Sequence, residues 1–451
     1  MQTMTHLRQP RLTHDQLSTA FSKGCKPSTH WRIGTEHEKF GFNPVNFQAI
    51  SYSQIEQLLQ NLSLEGWQAI YESNQIIALQ KGEASITLEP GGQIELSGAP
   101  LTTIHQTCAE VSAHHAALNR AAQSLELGFL GIGFHPTLAR EAIHWMPKKR
   151  YGIMRKYMPK VGDLGLDMML RTTTVQANLD FSSEHDMARK MRIASCLQPL
   201  VTALFAASPF KDGKPSGLLS TRAACWLDTD PKRTGVPSFV FDDRFGFDDW
   251  SAWVLDVPMY FIQREGQYID CSGLSFRDFM DGKLASLPGE LPTMEDWELH
   301  ISTTFPEVRL KSYLEMRGAD SGPKYRICAL PALWKGLLYD ETALQAAWEM
   351  IVDWSEHEVT ALRNEVPKSA LHTPFREGSV LKLCEAMLAI AHDGLARIAD
   401  LNEAGDDETI FLKPLFETLA KRQTLAEDWL DRYHNDWNND IHSIFHVARH
   451  A

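Results

Sequence analysis

Five glutamates are placed to do chemistry together: Glu36 and Glu38, Glu89 and Glu95, and Glu315, each on the polar face of a short strand-like segment. Like charges side by side on a folded surface repel, and bound cations are the commonest remedy. A sheet face carrying several carboxylates therefore predicts hard divalent metal, and arginines nearby add a phosphorylated substrate. For any one segment, an ordinary solvent face is the simpler explanation. Taken as a set, the faces lean towards acids, amides and Thr with Arg as the main cation, whereas solvated faces mix Lys with Glu.

The elements that must position these residues follow from parity. Along Arg32 to Phe40 a period of two puts Glu36 and Glu38 on one side. Ile86-Thr87-Leu88-Glu89 and Gln93-Ile94-Glu95-Leu96-Ser97 both alternate, and Pro90-Gly91-Gly92 between them reads as a hairpin turn. A two-residue loop would set Glu89 and Glu95 on opposite faces. A three-residue loop, with a glycine free to take positive φ, pairs Glu89 with Gln93 and Thr87 with Glu95, and keeps both apolar sets together. Thr172, Thr174, Gln176, Asn178 and Asp180 form another wet face, and Tyr313, Glu315 and Arg317 a further one.

The chain has 451 residues with 43% hydrophobic and 22% charged content, typical of a globular protein with a substantial core. Its net charge of −13 argues against a general nucleic-acid or anionic-membrane role. No run reaches the length of a membrane span. The polar start, Met1 to Pro10, does not look like a signal peptide, and Thr13 and Gln16 sit in capping-box positions; the expected location is cytoplasmic. The seven cysteines are scattered without a CxxC, so they make no zinc site by spacing. Residues 53–62, 102–126 and 183–207 read as helices, 129–134 as a strand, and 208–250 as a loop-rich stretch. Beyond about residue 320 the pattern is mainly helical. There is no P-loop, and Gly131-Ile132-Gly133 lacks what a dinucleotide loop needs.

Several segments, in order, resemble a known family: Ile33 to Phe42, Leu88 to Pro100, Tyr157 to Gly162 running on through Leu170-Arg171-Thr172 to Asp180, Phe239 to Asp243, Phe305 to Arg309, and Tyr313 to Asp320. Together they resemble the plant-type glutamate–cysteine ligases of plants and proteobacteria, from about residue 30 to beyond residue 340. The resemblance implies an α+β fold: a bowl-shaped, mainly antiparallel sheet of the glutamine synthetase-like type, wrapped by helices, as a single catalytic domain over 1–451 with a helical part from about 320. It implies that the γ-carboxyl of L-glutamate is joined to the amine of L-cysteine with ATP and Mg²⁺, through a γ-glutamyl phosphate. The products are γ-glutamylcysteine, ADP and phosphate, in the first step of glutathione biosynthesis. A monomer or homodimer acting on small molecules, with no nucleic acid or membrane partner, is expected.

By the same resemblance, Glu36, Glu38, Glu89, Glu95 and Glu315 are metal ligands, and Gln176 adds an amide oxygen or meets the phosphate. Arg222 is the candidate for a substrate carboxylate and Arg317 for the transferred phosphate, with Arg150 and Arg171 as further substrate-binding candidates. Tyr260 is a candidate for the cysteine pocket. Plant members carry regulatory disulfides. Cys271 matches one such cysteine, but Ser286 stands where its partner would be, so that bridge cannot form. Cys108 and Cys328 fall at positions of the other pair and are expected as two buried thiols, with little redox switching. The residues alone leave open a sister carboxylate–amine ligase with another acceptor, or a metal-dependent phosphohydrolase on the same acidic face.

Overall fold

The computed structural model describes residues 11–450. The polar start, Met1 to Pro10, lies outside the described residues. Nine strands form the main sheet: β1 (Ile33–Phe42), β2 (Gln68–Glu72), β3 (Gln75–Lys81), β4 (Ala84–Leu88), β5 (Ile94–Ser97), β6 (Gly128–Leu130), β7 (Thr174–Leu179), β8 (Val308–Leu310) and β9 (Leu314–Asp320). Their order is β8-β9-β7-β1-β5-β4-β3-β2, with β6 paired to the far end of β1. Every pairing in this sheet is antiparallel.

The three-residue turn is present. Glu89 N donates to Gln93 O at 2.9 Å, Thr87 pairs with Glu95, and Gly92 takes φ +84°. A side chain at Gly91 would meet Leu170 O at 2.3 Å, so the turn needs both its glycines. The helix Tyr52–Ser63 starts in a Ser51/Gln54 capping box and buries Ile55, Leu58, Leu59 and Leu62 at helical spacing. These pack with Ile86, Leu88, Ile94 and Leu96 from the dry sides of β4 and β5. Thr13 and Gln16 form the expected capping box of the helix His14–Ser22.

The long helices Ile104–Gln123 and Glu184–Leu204 fall where the periodicity puts them. The strand read over 129–134 is cut to Gly128–Leu130, and residues 208–250 hold the helix Thr221–Trp226 and the start of the helix Phe247–Asp256. After residue 323 the chain is nearly all helix, with one small hairpin at Pro374–Ser379. One core runs from Leu17 and Phe21 through Val175, Ala177 and Leu179 on β7 to Leu333 and Leu395, tying the helical part to the sheet. Among the described residues no helix is long and apolar enough to cross a membrane.

Cys108 and Cys328 are bonded in a disulfide, which corrects the expectation of two thiols. The helix Ile104–Gln123 and the turn before the helix Ala329–Leu338 bring their Cα atoms to 5.8 Å, within the span a disulfide bridges. Cys271 is a free, buried thiol, and Ser286 Oγ donates instead to Asp270 O at 3.0 Å.

Candidate active site

Cross-strand register builds a continuous polar face. Thr87 on β4 stands opposite Glu95 on β5, and Glu95 opposite Glu38 on β1. Two residues along β1, Glu36 stands opposite Gln176 on β7; Asn178 stands opposite Glu315 on β9, and Glu315 opposite Arg309 on β8. The parity read from each strand thus holds across five neighbours, because antiparallel partners share a face.

The carboxylates are held differently along this row. Gln176 Nε2 and Asn178 Nδ2 donate to the two oxygens of Glu36 at 2.8 and 2.9 Å. The other ends of these amides, Gln176 Oε1 and Asn178 Oδ1, are buried without a hydrogen-bond partner. Thr174 N donates to Glu38 Oε2 at 3.0 Å, and Thr87 Oγ1 to Glu95 Oε2 at 2.6 Å. Burial and the neighbouring Glu89 push the Glu38 carboxyl up to about 8. Burial, then Glu89, Glu36 and Glu38, push Glu95 well above its ordinary range. Glu315 is fully buried. Burial alone would raise it, but Arg309, Lys311 and Arg317 hold it well below the usual carboxylate range. Arg309 grips it bidentately at 2.6 and 2.9 Å, Arg317 Nη1 donates at 2.7 Å and Lys311 Nζ lies at 3.3 Å.

Over this face opens a cavity of about 160 Å³. Glu38, Glu89, Arg150, Arg222 and Arg317 line it on the charged side, and Met154, Met168, Trp226, Phe261 and Phe305 on the apolar side. Arg222 rides on the helix Thr221–Trp226, whose start is fixed by Ser220 and Ser208 donating to the two oxygens of Asp320 at 2.8 and 2.7 Å. Its Nη2 donates to Arg317 O at 2.8 Å. Arg150 lies over the ring of Tyr151 at 5.3 Å.

The fold therefore brings Glu38, Glu89, Arg150, Arg222 and Arg317 to one cavity, with Glu36, Glu95, Gln176 and Glu315 on the sheet face that continues from it. Two candidates lie elsewhere. Arg171 is buried in ion pairs with Asp167 at 3.0 Å and Asp212 at 2.6 Å and stacks on Phe134, so its charge is already spent on structure. Tyr260 is fully buried against the Arg233 guanidinium at 3.8 Å, with its hydroxyl directed at Met158 Sδ, and the cavity is lined by Phe261 instead. Arg309, Lys311 and Asp320 carry no role in the sequence reading; each acts through a partner on another strand or helix. Their only sequence signal is their place inside or between the segments Phe305–Arg309 and Tyr313–Asp320.

The oxygens on this face suit a hard cation. Among the described residues, no three His, Cys, Asp or Glu converge into a ready ligand group.

A crystal structure of glutamate–cysteine ligase from Francisella tularensis in complex with AMP has a similar fold. Its TM-score is 0.56 at 12% identity, covering 93% of this chain and 88% of that one, a likeness of fold alone. Helices packed on a large antiparallel sheet in this way give an α+β fold of the glutamine synthetase-like type. Residues 32–446 match the model of glutamate–cysteine ligase family 2, and the chain belongs to that family. It is 53% identical over 435 residues to the chloroplastic glutamate–cysteine ligase of Brassica juncea, covering 96% of this chain and 84% of that one. The identity is the same to glutamate–cysteine ligase B, chloroplastic, of Oryza sativa subsp. japonica, over 96% of this chain and 86% of that one. Those names overturn the cytoplasmic expectation, since these relatives are chloroplastic enzymes.

Proposed function

We propose that this protein joins the γ-carboxyl of L-glutamate to the amine of L-cysteine at the expense of ATP, as one catalytic domain. The observation that carries the reading is the 53% identity to glutamate–cysteine ligases over 96% of the chain. The carboxylate-and-arginine cavity agrees with it.

A carboxylate does not acylate an amine at neutral pH until it carries a leaving group, and phosphoryl transfer from ATP supplies one. Magnesium, when bound, would neutralise the phosphates and orient them for transfer. In this reading Glu36, Glu38, Glu89 and Glu95, with Gln176, would share the holding of the metal ions. The raised carboxyls of Glu38 and Glu95 and the orphaned amide oxygens beside Glu36 support that assignment. Glu315 joins the metal set once it gives up part of its contact with Arg309 and Lys311. Arg317 stabilises the transferring phosphoryl group, Arg222 binds the glutamate α-carboxylate, and Arg150 meets phosphate at the Glu89 end of the cavity. The apolar side holds the cysteine side chain and excludes water from the acyl phosphate.

ADP release with glutamate alone, cysteine alone and both, together with mass detection of the product, tests this. Turnover needing both amino acids and yielding γ-glutamylcysteine is expected. ATP loss indifferent to either amino acid would sink the ligase reading in favour of a phosphohydrolase.

A further inference from the structure

Strands β7 and β9 lose register at one place. Met316 stands opposite Ala177 and Ala319 opposite Val175, so Arg317 and Gly318 together face Gln176 alone. A bulge of this kind interrupts the ladder and re-aims a side chain. The side chain here is Arg317, whose Nη1 donates to Glu315 Oε2 at 2.7 Å. Two helices hold the bulge carbonyls. Arg317 O accepts from Arg222 Nη2 at 2.8 Å, and Gly318 O accepts from Thr202 Oγ1 at 2.9 Å.

One turn before Thr202, on the helix Glu184–Leu204, stands Gln198, 1% exposed. A side chain at Gly318 would bring its Cβ to 2.5 Å from Gln198 Nε2, so the glycine lets the amide lie directly on the bulge backbone. Neither Nε2 nor Oε1 of Gln198 has a hydrogen-bond partner. Among the described residues no other buried side-chain amide is unpaired at both ends. A buried amide left unpaired is costlier than an apolar chain of the same shape. An amide kept there at that cost points to a second state in which it is paired, and the backbone it rests on is the bulge. The chemistry asks for such a state. For Arg317 to face the phosphoryl group while Glu315 turns to the metal, their contact must open, and the bulge is the break in the β7–β9 ladder where it can. On the ligase reading given above, we propose that Gln198 is a positioning residue for Arg317. Its amide bonds the Arg317–Gly318 peptide once that peptide turns, and so holds the guanidinium towards the phosphoryl group instead of Glu315. Gln198 touches no reactant and acts only through the bulge.

The test is Gln198→Met, which keeps the length of the side chain and removes its hydrogen bonding. In that variant kcat for γ-glutamylcysteine formation is expected to fall about tenfold, the worth of about one hydrogen bond made only in the transition state. The KM values for L-glutamate and L-cysteine stay within about twofold of wild type, and the unfolding midpoint is equal or higher. An amide that only fills space gives the reverse, a lower midpoint with kcat unchanged, and that result overturns the proposal. So does a loss carried by KM alone. In an Arg317→Lys background the same change is expected to cost nothing further, because the arginine it positions is gone; losses that simply multiply overturn the proposal. Gln198→Asn keeps the amide and withdraws it by one methylene. It must retain part of kcat, and it carries the comparison with Arg317→Lys if the Met variant does not fold. Failure of the ligase reading is seen separately, as wild type that makes no γ-glutamylcysteine, and it removes the reaction on which the proposal rests.

Discussion

Glu36 and Glu315 share a face but not a setting, and the difference decides what their substitution does. Glu36 is half-buried and held by two neutral amides, so Glu36→Gln exchanges an anion for a neutral group of the same shape and leaves no buried charge uncompensated. It is expected to lower kcat on the order of 100-fold with an unchanged unfolding midpoint, measured by turnover and thermal denaturation side by side. Glu315→Gln takes from Arg309, which is itself buried, the carboxylate it grips bidentately. That change costs about 3–5 kcal/mol of stability as well as activity, since it leaves a buried charge unpaired. A Glu315→Gln protein as stable as wild type would show that these ion pairs do not hold the fold together. The parity of both glutamates is legible in the sequence; the partners that set them apart are not, because Arg309 reaches Glu315 through strand register.

At the scale of elements, the β4–β5 hairpin was fully readable, because a two-residue and a three-residue loop give opposite faces and only one keeps Leu88, Ile94 and Leu96 in the core. The disulfide was not. Its cysteines are 220 residues apart, and only the packing of the helix Ile104–Gln123 beside the turn at Cys328 brings them together. Closing so long a loop restricts the unfolded chain strongly, by on the order of 2–5 kcal/mol. Reductant is therefore expected to lower the unfolding midpoint of wild type, and Cys108→Ser to show the lowered midpoint with or without reductant. A wild-type midpoint indifferent to reductant would mean that the bridge adds nothing in solution.

On the scale of the whole molecule, the dry side of β1 carries His37 and Lys39, fully buried, and His114, His115 and His450 gather beside them. Lys39 Nζ lies 3.1 Å from His114 Nε2, and burial pulls the lysine down to about 7. Burial, reinforced by Lys39, holds all four imidazoles below 6.5, with His450 at about 3. His135 and His300 are likewise lowered to about 3 by burial. An unfolded chain takes up protons on these groups first as pH falls, so the stability they contribute is present above 6.5 and lost on the way down towards 3. Glu38 and Glu95, and with them Glu110, Asp320 and Glu408, are raised by burial and work the other way, favouring the folded state as pH falls, but the six histidines outnumber these five. Stability is expected to fall between pH 6.5 and 4.5 by roughly 1.4 kcal/mol per pH unit for each net proton, read from urea midpoints. A midpoint flat over that range would mean that these rings are hydrated or already charged in the fold.

The sequence by itself determined the alternation of wet and dry faces, the tight Pro-Gly-Gly turn, the helix starts and the family, because these rest on local spacing, local backbone preference and long ordered matches. Tertiary structure alone decided which charges meet. It drew Arg171 away to Asp167 and Asp212, buried Tyr260 on Arg233, joined Arg309 to Glu315 and laid Gln198 against Gly318. Side-chain partners separated by many residues are fixed by register and packing, and neither is written in the spacing of one segment.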